Sequence, residues 1–334
     1  MWFTILSIFC ISTFFIWLIR YYAPQLGLMD TPNERSAHSK IIPRGAGIGF
    51  VFSVLLVLPF FYFELVEHYF WTFIAITLVL IVGILDDHHD TSPRTKFIVI
   101  ILSVVFISFD GIVINDVGSF FGIPIVLGWF ALPFTMFAVS GFTNALNLID
   151  GLDGLAATLS ITILSIFAIV GYQHHDLFIL VLATAFITAL VAFLIFNWHP
   201  ASIFMGDSGS LTLGFVISIL AIKSLAYLPT ISILFIAAIP ILDTLVVMIR
   251  RKRNGKSFFT PDHCHLHHVF YYFFSKKTSK TVFSLFILQL VYSLTGLQLD
   301  KHNDEGILLL LFLLNVVLLY LFLHAMIKRQ KRKC

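Results

Sequence analysis

Long apolar segments recur along the whole chain and restrict its fold more than any other feature. Eleven of them have the length and composition of a membrane-spanning helix: 2–22, 46–66, 68–85, 96–110, 128–148, 155–173, 177–196, 209–227, 229–249, 281–298 and 306–327. Of the 334 residues 59% are hydrophobic and only 12% are charged, which excludes an ordinary water-soluble domain. We therefore predict an all-α polytopic membrane protein with about 10–11 transmembrane helices, forming a single integral membrane domain over 1–334.

Lysine and arginine residues are distributed unevenly between the predicted loops. If the N-terminus lies outside and the C-terminus inside, the inner segments hold all but two of the 21 cationic residues, Lys223 and Lys301. Cytoplasmic loops carry such an excess, so we predict a periplasmic N-terminus and a cytoplasmic C-terminus. The first segment lacks a positive n-region and a cleavage site, and we interpret it as a retained span. The cytoplasmic face then comprises loops near 23–45, 86–96, 149–154, 197–208 and 250–280, and the basic tail 328–334.

Three motifs at inward helix ends contain most acidic and amide side chains of this face. They are GILDDHHD with Asp86, Asp87 and Asp90, NALNLIDGLDG with Asn144, Asn147, Asp150 and Asp153, and FMGDSGS with Asp207. Taken alone, Asp153 or Asp207 is better explained as a helix N-cap. Adjacent carboxylates such as Asp86 and Asp87 repel each other unless a cation offsets their charge. Carboxylates that converge near a bilayer surface favour a Mg²⁺ site that also involves substrate phosphates.

The longest inner loop contains a histidine cluster beside a basic run. His263, His265, His267 and His268 fall within six residues but lack the i, i+4 spacing of a zinc-binding helix. We interpret them as hydrogen-bond donors to phosphate, with a metal site and a coincidental cluster as open alternatives. The first inner loop adds cations, including Arg44, which favour an anionic substrate. On the outer side, 111–127 is compatible with either a small β-hairpin or a loop.

Four motifs in this order, DDHHD, NALNLIDGLDG, FMGDSGS and HLHH, resemble those of the polyprenyl-phosphate N-acetylhexosamine-1-phosphate transferase family. The resemblance covers about 27–270, and it extends more distantly to phospho-N-acetylmuramoyl-pentapeptide transferases. It implies transfer of N-acetylhexosamine 1-phosphate from a UDP-sugar such as UDP-GlcNAc to undecaprenyl phosphate, with release of UMP. The product would initiate O-antigen (lipopolysaccharide) or other cell-envelope polysaccharide synthesis at the bacterial inner membrane. The resemblance implies Mg²⁺ as the cofactor, with Mn²⁺ as a substitute. The lipid bilayer is an expected partner, a homodimer is compatible with the resemblance, and no nucleic acid is expected.

The resemblance also implies roles for particular side chains. Asp207 and Asn147 match residues that contact the metal, and one of Asp86 and Asp87 would act as a base near the lipid phosphate. The implied catalytic set is Asp86, Asp87, Asp207, His265, His267 and His268. The implied substrate-binding set is Lys96, Asn144, Asp150, Asp153, Phe204 and Arg44. Within it, Lys96 matches a phosphate contact, and Phe204 sits where an aromatic ring stacks on the uracil.

The chain departs from the family pattern before the histidine motif, where it has His263 and the family often has an arginine. The HLHH form favours a small amino-sugar donor over the muramoyl branch, but GlcNAc, GalNAc and 6-deoxy amino sugars stay open. From another class, the strongest alternative is a membrane transporter. Transporters place ionisable groups near the bilayer midplane on broken helices, and here only Asp243 lies appreciably inside a predicted span.

Overall fold

The computed structural model describes residues 1–32, 40–255, 257, 265–300 and 304–329. Its helices are α1 (Trp2–Tyr22), α2 (Ala46–Phe61), α3 (Phe63–His68), α4 (Phe70–His89), α5 (Pro93–Phe109), α6 (Ala131–Ile149), α7 (Leu155–Gln173), α8 (Leu177–Asn197), α9 (Asp207–Ser224), α10 (Thr230–Ile236), α11 (Ala238–Arg253), α12 (Leu266–Phe273), α13 (Thr278–Gln298) and α14 (Glu305–Arg329). Four short strands complete the structure: β1 (Met29–Asp30), β2 (Ile42–Pro43), β3 (Asp116–Phe120) and β4 (Ile123–Val126). Strands β1 and β2 pair with each other, and β3 pairs with β4.

The predicted all-α polytopic membrane fold is confirmed, and a helix covers the core of each predicted apolar segment. Helix length and composition alone select fewer spans than the 10–11 predicted. Within the described residues, eight helices are long and apolar enough to cross a membrane, or nine if α10 and α11 form one broken span. The two predicted spans left out are α2, which has only 16 residues and contains Pro59, and α5, which has 17 residues.

Helix α9 lies at the centre of the bundle, and nearly all of its residues are buried. Small residues let its neighbours approach closely. A Cβ on Gly47 of α2 would lie 2.0 Å from the backbone nitrogen of Gly209, and one on Gly83 of α4 would lie 2.4 Å from Cα of Ser208. The first turn of α9 is therefore wedged between α2 and α4, which fixes the position of Asp207.

The segment 229–249 is not one continuous helix, because it breaks at Ala237 and its two halves meet at 88°. A break inside a membrane exposes backbone groups that must find partners within the protein. Gln289 of α13 supplies them: its amide nitrogen donates to the Ile236 carbonyl at 2.7 Å, and its amide oxygen accepts from the Ile239 N–H at 3.0 Å. The Ser293 hydroxyl donates to the same carbonyl. The bend is therefore locked by packed side chains.

A β-hairpin forms within 111–127, as one of the two sequence interpretations predicted. Strands β3 and β4 are antiparallel, with Phe120 opposite Ile123. Between them Phe121 and Gly122 have φ values of 51° and 79°, and positive φ at both central residues is typical of a tight type I′ turn.

Candidate active site

A cavity of about 1190 Å³ opens at the end of the bundle where α4, α6 and α8 end and where α9 and α12 begin. Most of the residues that the sequence singled out line it. They are Arg44, Asp87, Asn147, Asp150, Asp153, Phe204, Asp207, His265, His267 and His268. The structure thus brings together motifs that lie far apart in the chain.

Asp86 and Lys96 lie behind this cavity lining and are joined to it through Asp207. The Lys96 ammonium is 2.7 Å from Oδ2 of Asp207 and 3.0 Å from Oδ1 of Asp86. One cation therefore links two carboxylates from different motifs. Asn144 is not brought to the cavity, because it lies nearly one turn deeper in α6 than Asn147. His263 lies outside the described residues.

Asp87 caps the N-terminus of α9. Its Oδ1 accepts from the backbone N–H of Asp207 at 2.7 Å, and its Oδ2 accepts from that of Ser208 at 3.1 Å. The approach is possible because residue 206 is glycine: with φ of 74°, any Cβ there would lie 2.5 Å from the Asp87 oxygens. A helix N-terminus stabilises a carboxylate through its unpaired N–H groups and its dipole. The Asp86–Asp87 pair is thus offset by Lys96 on one side and by α9 on the other, and does not by itself require a metal ion.

The carboxylate of Asp207 faces the cavity and is held from two sides. While Lys96 contacts one oxygen, the Asn147 amide donates to the other at 3.0 Å and also to the Ser210 hydroxyl at 2.8 Å. Asn147 and Asp207 come from α6 and α9, so these bonds fix the relative position of two central helices. Both side chains line the same part of the cavity.

Asp150 ends α6 and faces the same cavity. Burial, followed by the nearby carboxylates of Asp207, Asp87 and Asp153, raises the pKa of Asp150 from its ordinary 3.8 to about 7. The protein thus concentrates more negative charge here than Lys96 compensates, which creates a site where a further cation is favoured.

Asp153 organises the side of the cavity formed by the loop between α8 and α9. Its carboxylate is 2.6 Å from Nδ1 of His199 and accepts from the Ala201 N–H at 3.1 Å. Asn197 joins the same two loops, since it accepts from the Gly154 N–H and donates to the Ile203 carbonyl. Sequence reasoning missed Asn197 and His199, although both precede Asp207 within the same NWHPASIFMGD stretch.

The first inner loop forms another wall of the cavity. Strands β1 and β2 pair Met29 with Pro43, and the Pro43 carbonyl accepts from the Phe204 N–H at 2.8 Å. Arg44 follows directly and lines the cavity, with one guanidinium nitrogen 3.5 Å from the exposed Asp90 carboxylate. The cavity is also lined by Arg20, Lys40 and Lys276. Cationic side chains therefore line the same cavity as the carboxylates.

Two of the histidines are fixed by different contacts. Nδ1 of His265 is 2.8 Å from Oδ2 of Asp243, whose Oδ1 accepts from the Leu266 N–H at 2.7 Å. His267 is buried against the DGLDG loop, where a Cβ on Gly151 would lie 2.5 Å from its Nε2. Its Nδ1 has no hydrogen-bond partner within the described part of the chain.

The environment of His267 keeps its imidazole neutral near pH 7. Burial, and then the proximity of His268 and His265, lowers the pKa of His267 well below its ordinary 6.5. A neutral imidazole carries one N–H donor and one acceptor nitrogen. His267 therefore offers the cavity directed hydrogen bonding rather than a fixed positive charge.

The chemistry of the donor set fits a divalent cation that binds oxygen. Within the described residues, no group of three or more histidine, cysteine, aspartate or glutamate side chains is arranged to hold a metal ion by itself. Mg²⁺ does not need one, because it commonly binds through one or two carboxylates and substrate phosphates. Asp207 and Asn147 provide oxygen atoms at the cavity wall, beside the excess negative charge around Asp150.

Comparison with known proteins identifies the family. The model of glycosyl transferase family 4 matches residues 69–225. The chain is 33% identical over 323 residues to a probable undecaprenyl-phosphate N-acetylglucosaminyl 1-phosphate transferase of Bacillus subtilis, covering 92% of this chain and 86% of the relative. It is 30% identical over 327 residues to the undecaprenyl-phosphate α-N-acetylglucosaminyl 1-phosphate transferase of Escherichia coli K12, covering 93% and 87%. The corresponding Yersinia pestis enzyme is 31% identical over 275 residues, covering 79% and 75%.

The matches to the Bacillus subtilis and Escherichia coli relatives cover more than nine tenths of the chain, and the family model includes Asp87, Asp150 and Asp207. The chain therefore belongs to glycosyl transferase family 4, the polyprenyl-phosphate N-acetylhexosamine-1-phosphate transferases.

Proposed function

We propose that this chain transfers N-acetylhexosamine 1-phosphate from a UDP-sugar to undecaprenyl phosphate, with UDP-GlcNAc as the first donor to test. The names of the relatives given above describe them as undecaprenyl-phosphate N-acetylglucosaminyl 1-phosphate transferases. The observation that carries the proposal is the Asp86–Lys96–Asp207 ion-paired group at the end of the helix bundle. It borders a cavity of about 1190 Å³, which is large enough for a nucleotide sugar.

The proposed reaction is a phosphoryl transfer between two substrates that meet at the membrane surface. An oxygen of the undecaprenyl phosphate attacks the phosphorus that carries the sugar, and the bond between this phosphorus and the bridging oxygen breaks. The bridging oxygen leaves with UMP, while the lipid retains a diphosphate linked to the sugar. Because a phosphate monoester is already ionised at pH 7, positioning and charge neutralisation matter more than proton removal.

The cavity supplies groups for each part of this reaction. Asp207 and Asn147 would hold Mg²⁺, which when bound neutralises charge on the donor diphosphate and orients it. Lys96 keeps Asp207 and Asp86 in place and adds a positive charge near the transferred group. Asp86 would act from behind the cavity lining through Lys96, and the capping bonds of Asp87 support a positioning role for it rather than that of a base.

The remaining walls suit the nucleotide and the sugar. Phe204 offers a ring for the uracil, and Asp153 with His199 offers polar groups beside it. His265, His267 and His268 approach from the opposite loop as hydrogen-bonding partners for the sugar phosphate. Arg44 and the other cations that line the cavity would attract both anionic substrates.

The orientation follows from the cations that line the cavity and from the chain segments around it. Because cytoplasmic loops are rich in Lys and Arg, we place the cavity on the cytoplasmic face of a bacterial inner membrane, where UDP-sugars are present. The product would then enter the synthesis of a cell-envelope polysaccharide, with O-antigen and lipopolysaccharide as candidates. A transporter is less well supported, because the carboxylates at the cavity lie at helix ends and Gln289 fills the break between α10 and α11.

The proposal is tested with purified protein in liposomes that contain undecaprenyl phosphate. UMP and lipid-linked product are measured with UDP-GlcNAc, UDP-GalNAc and UDP-MurNAc-pentapeptide, in Mg²⁺, Mn²⁺ or EDTA. We expect turnover with UDP-GlcNAc in Mg²⁺, weaker support by Mn²⁺, and none in EDTA. No turnover with any donor would contradict the proposed function, and turnover with UDP-MurNAc-pentapeptide alone would assign the chain to the peptidoglycan branch.

Asp207→Asn tests the assigned site in the same assay. It should reduce UMP release by more than about 10³-fold, because it removes charge from the group that Lys96 and the metal share. Asp176→Asn is the matched control, since Asp176 caps the start of α8 and Asn is an equally good cap. Full activity of Asp207→Asn would exclude its role in the site.

A further inference from the structure

Asp243 is a buried acidic residue that the proposed reaction does not use. It lies in α11, 1% exposed, inside a segment with the composition of a membrane span. A carboxylate in such surroundings is costly unless it is fully paired. Its retention therefore requires specific partners.

Both carboxylate oxygens of Asp243 are used at the start of α12. Oδ1 accepts from the Leu266 N–H at 2.7 Å, and Oδ2 is 2.8 Å from Nδ1 of His265. The first bond holds the N-terminus of α12, and the second acts on the imidazole. Because His265 also lines the cavity, Asp243 reaches the site through it.

The part of α11 that carries Asp243 is held in place by a neighbouring helix. The Ile239 N–H, one turn earlier in α11, donates to Gln289 of α13, so the first turn of α11 cannot rotate freely. Its partner imidazole is restrained as well, since the rings of His265 and His267 stack with centroids 5.8 Å apart. The Asp243–His265 pair is therefore held on both sides.

We propose that Asp243 is a positioning residue, which holds His265 through Nδ1–H and stabilises its doubly protonated ring, so that Nε2–H faces the cavity and donates to a phosphoryl oxygen of the UDP-sugar. This inference rests on the proposed function. A carboxylate behind an imidazole fixes its tautomer and stabilises its positive form without itself touching the substrate. The ionised Asp243 thus strengthens the hydrogen bond that His265 makes with the diphosphate.

The kinetic test is a double-mutant cycle of Asp243→Asn, His265→Gln and the double variant. An Asn at 243 keeps the size of the side chain and its bond to Leu266, but it presents N–H to Nδ1 of His265 and so favours a neutral ring protonated only at Nε2, which donates a weaker hydrogen bond to a phosphate than the charged ring does. We expect Asp243→Asn to lower kcat for UMP release by about 10- to 100-fold, with KM changed less. In the His265→Gln background the same substitution should have little further effect.

The control is Thr244→Val in the next position of α11. The Thr244 hydroxyl has no hydrogen-bond partner within the described part of the chain, so this change should leave kcat within about twofold of the native value. Thermal unfolding of every variant in detergent shows whether the helix packing survives. Multiplicative losses in the double variant would mean that Asp243 acts independently of His265, and would overturn the inference.

A spectroscopic measurement tests the positioning without turnover. Solid-state NMR of ¹⁵N-histidine-labelled protein in liposomes reports which ring nitrogens carry a proton, and the signal of His265 is the one missing from His265→Gln. We expect both ring nitrogens of His265 to carry a proton in the native protein, and only Nε2 to carry one in Asp243→Asn. Unchanged protonation would overturn the inference while leaving native UMP release, and thus the proposed function, intact. If the native protein releases no UMP, the proposed function and the phosphoryl contact are both overturned. The NMR result would still decide whether Asp243 sets the protonation of the His265 ring.

Discussion

The Asp87 carboxylate accepts hydrogen bonds from the first two N–H groups of the helix that begins at Asp207. Two aspartates separated by 120 positions are thereby joined, one as the cap and the other as the first residue of the capped helix. The neighbouring Asp86 points to Lys96 instead. A single DD pair thus divides into one residue that orders the backbone and one that belongs to the charged group.

This division predicts different effects for the same substitution at the two positions. Asp87→Asn places an amide N–H₂ against one of two helix N–H donors and removes a charge from the helix N-terminus. We expect it to lower the free energy of unfolding by about 1–2 kcal/mol and to reduce UMP release by displacing Asp207. Thermal unfolding in detergent and the UMP assay measure the two effects.

Asp86→Asn is the matched comparison. It keeps an acceptor for Thr91 and weakens the ion pair with Lys96, so we expect a loss of activity with a smaller change in stability. If Asp86→Asn proved the less stable of the two variants, the capping role of Asp87 would be wrong.

Gly151 should be intolerant of any side chain, although it has no unusual backbone conformation. A Cβ there would lie 2.5 Å from Nε2 of His267, so Gly151→Ala must push the imidazole away from the DGLDG loop. A displacement of about 1 Å costs on the order of 10²-fold in rate when the moved group positions the substrate. Gly141→Ala in α6 is the control, because a Cβ at that position meets nothing within 4 Å. Equal activity of the two variants would show that His267 adapts freely.

Asp150 makes the stability of the protein depend on pH in a defined direction. The pKa of Asp150 is about 7 in the folded protein and ordinarily 3.8, so between these pH values the folded state binds a proton that the unfolded state lacks. The contribution of this group to the free energy of unfolding therefore falls as pH rises through the window. Without metal or substrate, Asp150→Asn should raise Tm by a few degrees at pH 8, with a smaller gain near pH 4.5. A gain that does not change with pH would contradict this assignment.

Features that depend on composition and local spacing could be predicted from the sequence. The helices and the convergence of the three acidic motifs follow from apolar length and from the ends at which the helices stop, whereas the hairpin within 111–127 was one of two open interpretations. Asn144 was predicted to join them because it lies in the NALNLIDGLDG motif, but it lies nearly one turn too deep in α6.

Features that depend on contacts between distant segments could not be predicted. The 229–249 segment reads as continuously apolar, and its break at Ala237 becomes visible only with Gln289 beside it. The pairing of Asp243 with His265, 22 positions away, leaves no local signal either. The capping of α9 by Asp87 also leaves no local signal, because this helix starts 120 positions later.

The broken span gives a last prediction, about the cost of a membrane-embedded backbone left without partners. Gln289→Leu removes the acceptor of the Ile239 N–H and one of the donors to the Ile236 carbonyl. An unsatisfied buried donor costs about 1–3 kcal/mol, and here the Ser293 hydroxyl can serve only the carbonyl. Thr295→Val is the control on the same helix, because its exposed hydroxyl bonds only to the Val291 carbonyl. We expect a clearly lower Tm for Gln289→Leu than for Thr295→Val. We also expect slower UMP release, since α11 carries Asp243. Equal Tm values would mean that the bend at Ala237 does not depend on Gln289.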